Sequence, residues 1–163
     1  MIEEMEPIAR VLVNQYTSVW KTLQSAIKKV PDEKWHDGVG KWYFSQTTYH
    51  IIETAQFYLG SDPDTMQWGA RAGIVWDDIE DIQKEVLPRL TKDLVNSYLS
   101  EIGESAAEAM RSLSNEEFFE TDGFDWFSSI LDKLLYLLRH TNYHVGELNR
   151  ALREWGISPA RWG

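Results

Sequence analysis

The sequence predicts an all-α fold, an antiparallel four-helix bundle with a long connection between its second and third helices. Three observations point there. Four stretches repeat apolar residues at spacings of three and four, no run alternates as a strand does, and the breaks fall at prolines and glycines. With 163 residues, a single domain spanning 1–163 has enough chain to bury a proper core. Amphipathic helices with no strands to pack on must bury their stripes against one another.

The first helix reads from Pro7 to Lys29, with Ile8, Leu12, Val19, Leu23, Ala26, Ile27 and Val30 on one stripe and Pro31 as its stop. Gln15 interrupts that stripe, which calls for a hydrogen bond in the core or a place beside a cavity. Residues 32–42 form a loop whose glycines and tryptophans argue that it packs back on the body. The second helix runs from Tyr43 to Leu59 and stops at Gly60-Ser61-Asp62-Pro63. Residues 60–87 exceed the usual bundle connection and read as a crossover or a flap over a site, with Asp77 to Val86 as one short helix.

Thr91 is the N-cap of the third helix, with Leu90 and Val95 in hydrophobic-staple positions and a stripe from Leu94 through Tyr98, Ile102, Ala106 and Met110 to Leu113. Gly103 inside it costs roughly 1 kcal/mol against alanine, so a neighbour is expected to pack closely there. Ser114-Asn115-Glu116-Glu117 is a capping box opening a short turn. The last helix reads from Trp126 to Trp155, capped by Gly156, with Pro159 beyond.

Composition narrows the function. A net charge of −10 with no basic tract opposes binding to nucleic acid or to an anionic membrane surface. No apolar run is long enough to span a bilayer, and the acidic start lacks the form of a signal peptide, so a cytoplasmic location is expected. Cysteine is absent, so any metal site must use His, Asp or Glu, and any thiol must come from a small molecule. Eight tryptophans and seven tyrosines favour an aromatic core, an aromatic-lined cleft or a self-association surface.

His140 and His144 are four residues apart on the last helix, about 40° apart in projection and on the side of Leu137 and Leu148. Arg139, Asn142, Arg150 and Arg153 fall opposite. His50 lies midway along the second helix, on a stripe with Tyr43, Gln46, Thr47, Glu53, Thr54 and Phe57. A histidine among such polar neighbours suits the wall of a site better than plain core. Three inward imidazoles with open positions form the donor set of catalytic zinc, and nickel also accepts nitrogen ligands. His36, in the loop, has no such register. His-Glu-x-x-His is absent, and the one Glu-x-x-His, Glu33 to His36, also lies in the loop.

In order and spacing these features resemble the DinB-like (DNA-damage-inducible) four-helix-bundle metalloproteins, whose relatives include thiol-dependent transferases and isomerases. Trp42 stands eight residues before His50, and His140-Thr141-Asn142-Tyr143-His144 matches the family's histidine pair. Gly146-Glu147-Leu148 stands where the family commonly has Gly-Gln-Leu, and Leu152-Arg153 with Gly156 matches its ending. The resemblance implies His50, His140 and His144 as ligands of one divalent ion, zinc or nickel, and a homodimer. Glu147 replaces the commoner Gln and Val145 a frequent Arg, which leaves the ligands intact and the substrate open.

Two functions follow. One is a metal-dependent enzyme acting on a small-molecule substrate, either S-transfer or isomerisation with a low-molecular-weight thiol, or hydrolysis. The other is a binding module with a structural or vestigial metal. Glu53, one turn from His50, is the candidate general base, with an ordinary carboxylate as the alternative. Glu147 is placed to orient a ligand or cap a cleft. Gln15, Gln46, Thr47 and Tyr136 are possible lining residues that packing explains equally well, and Lys133 is an anion contact or a snorkelling lysine.

Overall fold

The computed structural model describes residues 5–40, 42–74 and 84–161. Among the described residues the regular structure is helical apart from one hairpin of two two-residue strands. Four long helices carry it: α1 (Pro7–Lys29), α2 (Phe44–Leu59), α3 (Lys92–Arg111) and α4 (Ile130–Glu154). Both α1 and α2 pack on α3 and on α4, an arrangement compatible with a four-helix bundle. Strands β1 (Gly38–Val39) and β2 (Trp42–Tyr43) pair antiparallel just before α2. Short 3₁₀ turns at Pro63–Thr65, Ala70–Ala72 and Lys84–Arg89 lie between α2 and α3. Most of the short helix expected over Asp77 to Val86 lies outside the described residues.

The helix ends follow local chemistry. Pro7 begins α1 where a missing N–H costs nothing. The Thr91 hydroxyl accepts the Leu94 N–H at 3.2 Å and caps α3. Gly156 adopts φ +73°, and the Ile157 N–H reaches the Leu152 carbonyl at 2.8 Å, closing α4 in a Schellman turn. The start of α4 is later than the periodicity suggests. Ser129, not a residue near Trp126, is the N-cap, accepting the Asp132 N–H at 3.1 Å. Asp132 in turn accepts the Ser128 N–H at 3.0 Å, so the reciprocal side-chain bonds overrule the aromatic run before them.

α2 is the most enclosed element. Every side chain from Phe44 to Ala55 is buried. Its polar residues are therefore partnered locally. The Tyr43 N–H donates to Gln46 Oε1 at 3.2 Å, Thr47 Oγ1 donates to the Tyr43 carbonyl at 3.0 Å, and Thr48 Oγ1 donates to the Ser45 carbonyl at 2.7 Å. Gln46 and Thr47 thus serve the start of the helix. The loop before it folds back as expected: Trp35 is buried and its indole N–H donates to the Leu90 carbonyl at 2.6 Å.

Two further contacts lock the helices. Buried Lys133 on α4 donates to the Gly60 carbonyl at 2.7 Å, pairs with Asp122, and lies 4.4 Å from the Phe124 ring centroid. Its ammonium ties the end of α2 to the connector before α4; the anion it contacts is the chain's own Asp122, and its burial excludes snorkelling. On the other side, the Trp20 indole N–H donates to the Leu99 carbonyl at 2.8 Å. Gly103 makes room for that ring, since a Cβ there would fall 2.5 Å from Trp20 Nε1. Gln15 is exposed beside a groove of about 380 Å³ between α1 and α4, and Tyr16 takes the inward place on the stripe.

Gly103→Ala is therefore expected to destabilise the fold. Overpacking costs roughly 1–3 kcal/mol, against about 1 kcal/mol returned by helix propensity. Urea unfolding should show a lower midpoint at unchanged slope. A raised midpoint would mean that propensity outweighs the clash.

Candidate metal centre

Because α2 and α4 pack together, the inward face of one meets the inward face of the other. His50 of α2 meets His140 and His144 of α4. One ring nitrogen from each lies within 4.8 Å of the others, and His50 Nε2 is 3.0 Å from His140 Nε2. The ring centroids are 4.5 to 4.9 Å apart in all three pairs. Two nitrogens bound to one tetrahedral zinc at its usual bond length stand roughly 3.3 Å apart. The 3.0 Å pair and the 4.8 Å outer limit bracket that spacing. The donor set therefore fits one small divalent ion and is compatible with metal binding.

Electrostatics favour the same use. His50 is 7% exposed. Burial, then the neighbouring His140 and His144, push its pKa down to about 2. Burial, then His144, pushes His140 down to about 4. Both are neutral near pH 7, with lone pairs available to a metal. Their Nδ1 atoms are buried without a protein hydrogen-bond partner. His144 differs: its Nδ1 is 2.6 Å from Glu147 Oε2.

Aromatic rings hold the imidazoles. Trp42, on β2, meets His50 edge-on at 4.6 Å and stacks on His144 at 5.7 Å with planes 17° apart. Tyr136 stacks on His140 at 6.2 Å. Beyond Tyr136, Tyr58 and Phe127 each lie 5.3 Å away, and Phe127 leads to exposed Trp126 at 6.0 Å. Trp42 was legible only as a residue at a matching offset, and its position between two histidines comes from the hairpin.

The other candidates separate from this group. Glu53 is buried, and its Oε1 accepts the Gly69 N–H at 2.6 Å and the Tyr49 hydroxyl at 3.3 Å. It lines a cavity of about 660 Å³ with Gln56, Arg71 and Tyr98. His36 lies apart, its Nδ1 2.8 Å from Ser45 Oγ. Glu147 pairs with His144, its i,i+3 neighbour, although projection sets it closer in angle to His140.

Residues 15–148 match the DinB superfamily. The chain belongs to the DinB superfamily. The match contains all three histidines, Trp42 and Glu147. No curated protein and no solved structure matches the chain. Superfamily membership thus agrees with the helical fold and the histidine group, and leaves the reaction to be argued from the site. No helix among the described residues of this DinB protein is long and apolar enough to cross a membrane.

The lowered histidine values predict how the metal-free DinB protein responds to acid. The unfolded chain takes up protons on these histidines near pH 6.5, whereas the folded chain resists until about 4 and about 2. Below 6.5 the unfolded state binds more protons, so stability falls as pH falls. Urea midpoints of chelator-treated protein should drop between about pH 7 and pH 5. His50→Gln and His140→Gln should flatten that slope, and equal slopes in wild type and variants would contradict the assignment.

Proposed function

We propose that this DinB protein is a metal-dependent enzyme holding one divalent ion, zinc or nickel, through His50, His140 and His144. The observation that carries the reading is the convergence of three imidazole nitrogens from two helices within 4.8 Å of one another. Three protein donors are the usual number at a catalytic zinc site, whereas structural sites close with four. Bound there, the ion would supply Lewis acidity towards water or a thiol.

The chain's own residues do the rest. His50, His140 and His144 present lone pairs without adding charge. Trp42 and Tyr136 restrict their rings and keep water from two sides. We assign Glu53 the role of proton acceptor, one turn from His50, held by the Gly69 amide and facing the adjoining cavity of Gln56, Arg71 and Tyr98. The preferred reaction is S-transfer or isomerisation with a low-molecular-weight thiol on a small-molecule substrate. The sequence offers no cysteine to compete for the metal, which suits a bound thiol and hydrolysis alike. The setting proposed is a cytoplasmic homodimer of antiparallel four-helix bundles, with the long connection between α2 and α3 flanking the site.

Purified protein should contain about one divalent ion per chain, since three neutral imidazoles constitute one site. His50→Ala, His140→Ala and His144→Ala should each remove most of it. Full occupancy in all three variants, by elemental analysis, would rule out the site. The metal-loaded protein should turn over electrophiles only with an added bacterial low-molecular-weight thiol. Turnover without thiol would select hydrolysis, and none at all would leave a binding module. Glu53→Gln should lower turnover while leaving the metal content unchanged.

A further inference from the structure

We infer that Glu147 is the positioning residue of the metal centre: through its bond to His144 Nδ1 it sets that ligand's tautomer and strengthens the hold on the ion. The inference rests on the metal-binding reading above. An ionised carboxylate can only accept a hydrogen bond. At 2.6 Å from Glu147 Oε2, His144 Nδ1 must carry the hydrogen. In the neutral ring this leaves the lone pair on Nε2. The spacing is local to one helical turn, with buried Val145 and Leu148 fixing the rotation of α4 between the two residues. Trp42 stacks on the same ring.

The other two ligands lack this device. The Nδ1 atoms of His50 and His140 are buried with no protein partner. Their Nε2 atoms face each other at 3.0 Å, so one must donate to the other when no ion is present. His144 alone of the three has its tautomer specified by a carboxylate. Glu147 also places a negative charge behind three neutral ligands that leave the ion's charge uncompensated. Its side chain is 39% exposed, so solvent screens part of that charge. Glutamine at this position could accept the same bond and would lose only the charge, so the two contributions can be separated.

The test is zinc affinity of the full chain, measured by competition with a chromophoric chelator, for wild type, Glu147→Gln and Glu147→Ala. Loss of such a partner typically weakens metal binding by about 10–100-fold. Glu147→Ala should lose roughly 10-fold or more, and Glu147→Gln should fall between it and wild type. The visible spectrum of the cobalt-substituted protein should change in Glu147→Ala and be largely restored in Glu147→Gln. A merely structural role would shift the urea midpoint of the metal-free protein while leaving affinity and spectrum alone. Affinity and cobalt spectrum of Glu147→Ala equal to wild type would overturn the inference with the metal site intact. A wild-type protein that binds neither zinc nor cobalt would overturn the metal reading itself.

Discussion

The enclosure of α2 is the constraint on which the rest of the structure depends. A helix buried on every side from Phe44 to Ala55 is ordinarily apolar all round. This one carries Ser45, Gln46, Thr47, Thr48, His50, Glu53 and Thr54 inside the protein. Each buried polar group must find a partner or cost free energy comparable to a lost hydrogen bond. The helix start takes up Gln46, Thr47 and Thr48, and His36 takes up Ser45. Glu53 takes the Gly69 amide and so ties the chain beyond α2 to the helix. His50 stands apart from these. Its Nδ1 has no protein partner and its Nε2 meets another imidazole. A cation at that point would satisfy lone pairs that the protein leaves facing one another.

Such a site works only if α2 and α4 keep their relative placement. Lys133 contributes by bonding the Gly60 carbonyl at the end of α2 from its seat on α4. Its charge is paired with Asp122, which keeps the buried ammonium from being a net burden. Trp35 braces the loop before α2 against Leu90, and Trp42 enters the site from the end of that loop. These contacts all lie outside the histidine group. They put the three histidines on rigid elements, where side-chain direction is set by helix rotation and not by loop mobility.

How much of this was legible in sequence depended on whether the signal was local. The extents of α1 and α2, the Thr91 cap and the Gly156 turn follow from periodicity and end chemistry, and they match the structure closely. The three histidines were legible because helical spacing fixes direction. The start of α4 was readable in principle, since Ser129 and Asp132 spell a capping pair, but Trp126 and Phe127 were read into the helix, after a connector ending at Asp125. They pack instead as a cluster reaching Tyr58 and Tyr136. The partners of Lys133, Gly60 and Asp122, were not legible because they come from two parts of the chain brought together only by the fold. Glu147 was legible as a residue placed to orient a ligand or cap a cleft, and its bond to His144 follows from rise along the axis, which projection angle leaves out. The i,i+3 partner is within reach, whereas a residue two turns away is not.

The three histidines are consequently not equivalent. His144 is gripped on two sides, by the Trp42 ring and by the Glu147 carboxylate, and its lone pair is already on Nε2. His50 and His140 share a hydrogen between their Nε2 atoms in the metal-free protein. To offer both lone pairs to one ion, the donor of that pair must move its hydrogen to Nδ1. Neither Nδ1 is engaged by any protein group, so the exchange breaks no bond except the one between the two imidazoles. A bound ion would replace that one hydrogen bond across the α2–α4 contact, with His50, His140 and His144 as the residues that would hold it. The chain therefore places its two adaptable histidines where α2 meets α4, and its fixed histidine beside the only carboxylate bonded to a histidine of the group among the described residues.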